Sequence, residues 1–306
     1  MPEEIPGLRE KLEFVKEKIR AGIDLDGILE AAEKAPELLI KIPETIKKQE
    51  GKTISGAAAV HTVCHAVFDG SRAIFQGKRE LAASVADNKN SSSPVIAVAR
   101  DEAFCFYYED NLDLLKKLGA RIRYFSPIRD QEIPPEASAL YLGGGYPELH
   151  AKALSENKTM LSSIREAIRN RMPCIAECGG YLYLKESIED PAGKRWEMAG
   201  VLPGNSQDTG KLGRFGYITV TAKKDGLLGP EGTQFRAHEF HHWDSPENGT
   251  DFQAKKPVGT RGWECGYTTE SFYAGFPHLY FYSNPKIAEH FVKQAQSWRE
   301  APQRMT

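Results

Sequence analysis

Ten residues, Pro173-Cys174-Ile175-Ala176-Glu177-Cys178-Gly179-Gly180-Tyr181-Leu182, constrain this chain more than any other stretch. They read as a buried strand, a tight turn and the start of a helix, and such a turn needs a sheet behind it and helices around it. Ala176 and Gly180 stand two residues before and two after Cys178, where a strained nucleophile elbow requires small side chains. A helix starting after Cys178 offers free N–H groups and a positive dipole end, a setting that favours thiolate over thiol. The N–H of Gly179 points toward any oxyanion that develops there. Cys174, inside the strand, lacks this context and reads as core.

The flanking sequence fits the same α/β picture. Val95 to Ala99 is a strand, Leu112, Leu115 and Leu118 line a helix ended by Gly119, and Arg121 to Phe125 return as the next strand. Ala139 to Leu142 is a third strand, Met160 to Arg171 a helix, and Pro173 to Ala176 a fourth strand. Beyond Gly200 the pattern turns β-rich, with strands at Tyr217 to Ala222, Thr233 to Phe240, Cys265 to Thr269 and Phe272 to Tyr273. A last helix runs from Pro285 to Trp298. The expected fold class is α/β, a mostly parallel sheet flanked by helices, preceded by a short helical segment. Leu8, Leu12, Val15 and Ile19 place an amphipathic helix at the start, and Ile28, Leu29 and Ala32 a second one before Pro36. Residues 37–94 read as a poorly ordered linker or insertion.

A cysteine nucleophile needs a base and an oxyanion hole from elsewhere in the chain. Gly143-Gly144-Gly145-Tyr146-Pro147-Glu148 follows a strand, and glycines there let backbone N–H groups approach a carbonyl oxygen. His278, in an aromatic run that leads into Ser283-Asn284-Pro285, is the leading base. A formal charge of −2 argues against a nucleic-acid partner. The acidic start lacks an export signal and no apolar run reaches membrane-spanning length, so a cytoplasmic protein is expected, and five cysteines, an odd number, suit reduced thiols.

These residues resemble the class I glutamine amidotransferase domain of cobyrinic acid a,c-diamide synthases. The likeness is carried by Val98 to Tyr108, with its Arg-Asp-x-Ala-Phe-Cys-Phe-Tyr-Tyr string, and by Tyr141 to Glu148. It continues in Glu177 to Leu182 and in Arg236-Ala237-His238-Glu239-Phe240-His241. The resemblance covers residues 95–300 and implies glutamine hydrolysis by Cys178 with His278 as base. It also implies ammonia delivery to a synthetase domain that amidates corrinoid carboxylates in cobalamin biosynthesis. Gly144, Gly145, Gly179 and Tyr181 are then the expected oxyanion or glutamine-binding residues. Residues 1–36 resemble the end of the family's ATP-dependent domain. Its phosphate loop has no counterpart here beyond Gly51-Lys52-Thr53, so the chain itself is expected to take no cofactor and ATP and Mg²⁺ are expected to bind a separate synthetase domain. Unpartnered helices in 1–36 imply self-association or recruitment of that synthetase. The carboxylate that completes a Cys-His-Glu triad stands two residues after the histidine, where this chain has Tyr280, so a tyrosine hydroxyl is the candidate to orient His278.

Three rivals remain. The acceptor could be another tetrapyrrole such as a nickel sirohydrochlorin, or the domain could be a non-catalytic partner-binding module. His238-Glu239-Phe240-His241-His242 also matches the zinc-protease motif, but that motif needs a helix and this segment reads as a strand.

Overall fold

The computed structural model describes residues 93–210 and 213–301. The helices expected in 1–36, and all of the 37–94 segment before Ser93, lie outside the described residues.

The main sheet is built from β1 (Val95–Ala99), β2 (Arg121–Phe125), β3 (Ala139–Leu142), β4 (Cys174–Glu177), β13 (Tyr267–Thr269) and β14 (Phe272–Gly275). Its order is β13-β14-β4-β3-β1-β2, parallel throughout except for β13, which runs antiparallel at one edge. Every residue of β1, β3 and β4 is buried, because helices or a second sheet cover both faces. Side chains alternate between faces along a strand. On one face Ala97, Leu140, Leu142, Cys174 and Ala176 pack with α2 (Ala151–Glu156), α3 (Lys158–Arg169) and α4 (Gly179–Tyr183). On the other, Ile96, Val98, Tyr141, Ile175 and Tyr273 meet α1 (Glu109–Lys117) and α5 (Lys286–Glu300).

Local sequence sets the helix limits. Helix α1 opens with Glu109 and Asp110 and closes with Lys116 and Lys117, charges that complement the helix dipole. Gly119, at φ 95°, then turns the chain toward β2. Asn157 caps α3 by accepting from the Met160 N–H.

The mostly parallel sheet flanked by helices is as expected, but the β-rich part is larger than the sequence indicates. A five-stranded antiparallel sheet has the order β12-β11-β8-β9-β15. It is formed by β8 (Arg214–Ala222), β9 (Gln234–His241), β11 (Phe252–Lys255), β12 (Gly262–Cys265) and β15 (His278–Leu279). The strand expected from Cys265 to Thr269 is in fact two. Gly266, at φ 70°, breaks it, sending β12 into this second sheet and β13 into the main one. Short strands β5 (Ser187–Glu189), β6 (Arg195–Glu197), β7 (Asn205–Asp208) and β10 (Trp243–Asp244) make a four-stranded sheet absent from the sequence reading. None of them exceeds four residues, too short for a periodic signal. No helix among the described residues is long and apolar enough to cross a membrane.

Candidate active site

Cys178 sits between β4 and α4 with φ 47° and ψ −104°, a conformation rare for a residue with a side chain. Neighbouring backbone enforces it. The Cys178 N–H donates to Gly275 O at 2.9 Å, and the Gly180 N–H to Gly143 O at 2.8 Å. A Cβ on Gly180 would lie 2.1 Å from Leu142 O, which is backbone and cannot yield, so only glycine fits there. The thiol is 7% exposed and lies 3.9 Å from Phe240 O on β9. It opens on a cleft of about 70 Å³ lined by Gly145, Tyr146, Phe240, His241 and Trp243.

His278 reaches the same place from β15, which pairs with β9 so that His278 stands opposite His238. The imidazole is 6% exposed and packs edge-on against Phe106, with ring centroids 4.7 Å apart. Its Nδ1 is 3.8 Å from Glu177 Oε2. Burial alone would lower its pKa, but the Cys178 sulfur and the Glu177 carboxylate beside it outweigh burial and raise it to about 10. A thiol and a basic imidazole are therefore buried side by side.

The CobB/CobQ-like glutamine amidotransferase domain matches residues 95–286, more than half of the chain. This chain belongs to that family. The cobyrinate a,c-diamide synthase of Listeria innocua is 40% identical over 229 residues, 73% of this chain and 50% of that protein. That of Caldanaerobacter subterraneus is 38% identical over 205 residues, 66% of this chain and 45% of that protein. The Salmonella typhimurium protein of the same name is 38% identical over 214 residues, 69% and 46%. The chain thus spans about half the length of the curated relatives it matches. Among solved structures, PurLQS from Thermotoga maritima aligns with TM-score 0.46 at 14% identity, covering 67% of this chain and 98% of that one.

Within this amidotransferase domain, the glycines expected to line the oxyanion site do converge on the elbow. A Cβ on Gly179 would come within 2.9 Å of Gly145 N, and one on Gly144 within 2.3 Å of His278 Cε1. Gly144→Ala should therefore displace the imidazole. The expected outcome is a loss of roughly 10²-fold in glutamine hydrolysis, the order that about 1 Å of misplacement causes, with little change in thermal midpoint. A glutaminase assay beside a melting curve checks it.

Two other expected site residues lie elsewhere. Tyr181 is fully buried three residues into α4, and its hydroxyl donates to Glu247 O at 2.9 Å, so it braces the elbow from behind. Tyr280 is 38% exposed, packs edge-on with Tyr108 at 5.6 Å and makes no hydrogen bond to His278 Nδ1. His238, Glu239 and His241 stand on β9, where successive side chains point to opposite faces, so the helical zinc-protease geometry is not formed.

One residue that positions the site escaped the sequence reading. Asn111, on α1 and fully buried, donates to Leu279 O at 2.7 Å and accepts from the Phe281 N–H at 2.9 Å. It clamps the chain directly after His278. The only signal in sequence was an amide immediately before Leu112 on the helix's core side.

Proposed function

We propose that the chain hydrolyses glutamine at Cys178 and feeds the ammonia to an ATP-dependent amidation of corrinoid side-chain carboxylates. The observation that carries the first half is a thiol on a strained elbow with the buried imidazole of His278 beside it. The Cys178 thiolate attacks the carboxamide carbon of glutamine, and the oxyanion is met by backbone N–H groups of Gly179 and the Gly144–Gly145 turn. His278 gives its proton to the departing nitrogen, releasing ammonia and leaving a thioester. It then takes a proton from the water that releases glutamate.

The acceptor half of the proposal rests on the relatives' names. ATP and Mg²⁺ are assigned to a synthetase domain, since residues 93–301 contain no glycine-rich phosphate loop with its lysine. An aromatic surface beside the cleft supports docking of that domain. Rings run from Tyr282 through Tyr280, Tyr108 and Phe106 to His278 with centroid separations of 6.2, 5.6, 5.5 and 4.7 Å. On the outer face of β8 and β9, Phe215 and Tyr217 are 59% and 73% exposed and flank His238. Exposed aromatic patches of this kind mark interaction surfaces, and one that runs up to His278 suits a partner that must receive ammonia before it escapes.

The test is glutamate release from glutamine, alone and then with a synthetase chain, Mg-ATP and cobyrinic acid. Release that rises on adding the synthetase chain, with amidated corrinoid formed, is the expected result. No release in either arm, with no labelling of Cys178 by an electrophilic glutamine analogue, would leave the partner-binding module as the better reading.

A further inference from the structure

We propose that Glu177, the residue immediately before the nucleophile, is the carboxylate that orients His278, a positioning residue in place of the one expected two residues after the histidine. The inference rests on the glutaminase reading above.

The geometry is specific. Glu177 ends β4 on the same sheet face as Ile175, because residues two apart on a strand share a face, and it is 2% exposed. Its Oε1 accepts from the Tyr141 hydroxyl at 3.1 Å and from the Leu279 N–H at 3.2 Å. The carboxylate is thereby fixed both to the main sheet and to the strand that carries His278. That leaves Oε2, which faces His278 Nδ1 at 3.8 Å. This Nδ1 is itself buried and has no hydrogen-bond partner. Consecutive strand residues normally point apart, so a thiol at 178 and a carboxylate at 177 could not both address one ring on a straight strand. The turn at Cys178 removes that conflict and lets each side chain reach the imidazole.

A separation of 3.8 Å is longer than a hydrogen bond, and a ring shift of about 1 Å closes it. Catalytic hydrogen bonds are often long before substrate binds and tighten in the complex. A proton held on Nδ1 by a carboxylate leaves Nε2 to exchange a proton with the thiol and the leaving nitrogen. Tyr280 is two residues past the histidine, but its ring packs with Tyr108 and Tyr282 and its hydroxyl makes no hydrogen bond to Nδ1.

The alternative role for Glu177 is purely structural, pinning Leu279 and Tyr141. Glu177→Gln keeps an acceptor oxygen for both but removes the charge. The positioning role predicts that kcat for glutamine hydrolysis falls by roughly 10²-fold while KM changes little. It also predicts a narrower pH profile, with Cys178 alkylation by iodoacetamide beginning at higher pH and activity lost at lower pH on the alkaline side. Glu177→Gln with kcat within about twofold of the unaltered protein and an unshifted alkylation profile would overturn the assignment. Should this variant fail to fold, nitrogen-15 NMR of His278 in the unaltered protein, followed upward in pH until the ring is neutral, decides: a neutral ring that keeps its proton on Nδ1 supports the role, and one that keeps it on Nε2 overturns it. Labelling of Cys178 in the unaltered protein separates the two levels. If the glutamine analogue labels it and Glu177→Gln is silent, only this inference fails, whereas if labelling never occurs the glutaminase reading itself fails.

Discussion

Cys178→Ala is expected to abolish glutamine hydrolysis while leaving the fold intact. No other described cysteine can substitute. Cys174 lies within β4 and Cys265 at the end of β12, and burial holds the first thiol well above its usual range and pushes the second up to about 12, so both stay protonated at neutral pH. Cys105 is exposed and stands between Phe104 and Phe106, not on the elbow. Losing one sulfur from a 7% exposed site costs about 1 kcal/mol of packing, too little to unfold a domain with two large cores. Replacement by alanine also keeps the strained φ of 47°, because that angle is imposed by the bonds from Cys178 N–H to Gly275 O and from Gly180 N–H to Gly143 O. Glutamate release should fall to the rate without enzyme, and circular dichroism and the thermal midpoint should be nearly unchanged. Cys174→Ala should retain turnover. If Cys178→Ala still released glutamate, or an electrophilic glutamine analogue labelled Cys174 or Cys265 in its place, the nucleophile assignment would be wrong.

The elbow was legible in the sequence because its demands are steric. A side chain at 180 collides with Leu142 O, and a strand, a turn and a helix must fit within ten residues. The parallel sheet was legible for a related reason: β1, β3 and β4 are buried on both faces, and such strands appear as apolar runs, broken here only by Glu177 at the end of β4. The second sheet was only partly so. Strand β9 alternates between buried and more exposed residues over its whole length and β8 over its second half, whereas β5, β6, β7 and β10 are too short to show a period. Glu177 and Asn111 were hidden differently. Their types and positions are plain in sequence, but their function depends on which backbone groups the fold brings to them across 102 and 168 residues. A fixed offset from the histidine leads to Tyr280, and the carboxylate that actually faces Nδ1 comes from the strand that carries the nucleophile.

His278→Asn is expected to lower turnover by roughly 10²- to 10⁴-fold, the range for losing a general acid–base group, and to change how stability depends on pH. Asparagine can still pack beside Phe106 and Gly144 but cannot carry a proton to the departing nitrogen. Burial opposes the charge on His278, yet the adjoining Cys178 and Glu177 raise its pKa to about 10, against an ordinary 6.5. A group that binds its proton more tightly when folded stabilises the fold fully below its unfolded pKa, and that stabilisation is lost as the pH rises through the folded value. The contribution of His278 is thus complete below about pH 6.5 and disappears by about pH 10. Glu239 gives a slope of the same sign at lower pH. Burial pushes it up to about 7 from 4.5, so its contribution is lost as the pH rises from about 4.5 to 7. That slope is common to both proteins and cancels in the difference between them. Urea midpoints taken from pH 6 to pH 10 should therefore decline more steeply for the unaltered chain than for His278→Asn, with the two curves converging toward pH 10. The alkaline limb of kcat/KM, which reports loss of the imidazolium proton, should vanish in the variant's residual activity. Parallel urea curves across this range, together with an alkaline limb of kcat/KM that persists in the variant, would overturn the assignment of His278 as the group that carries the proton.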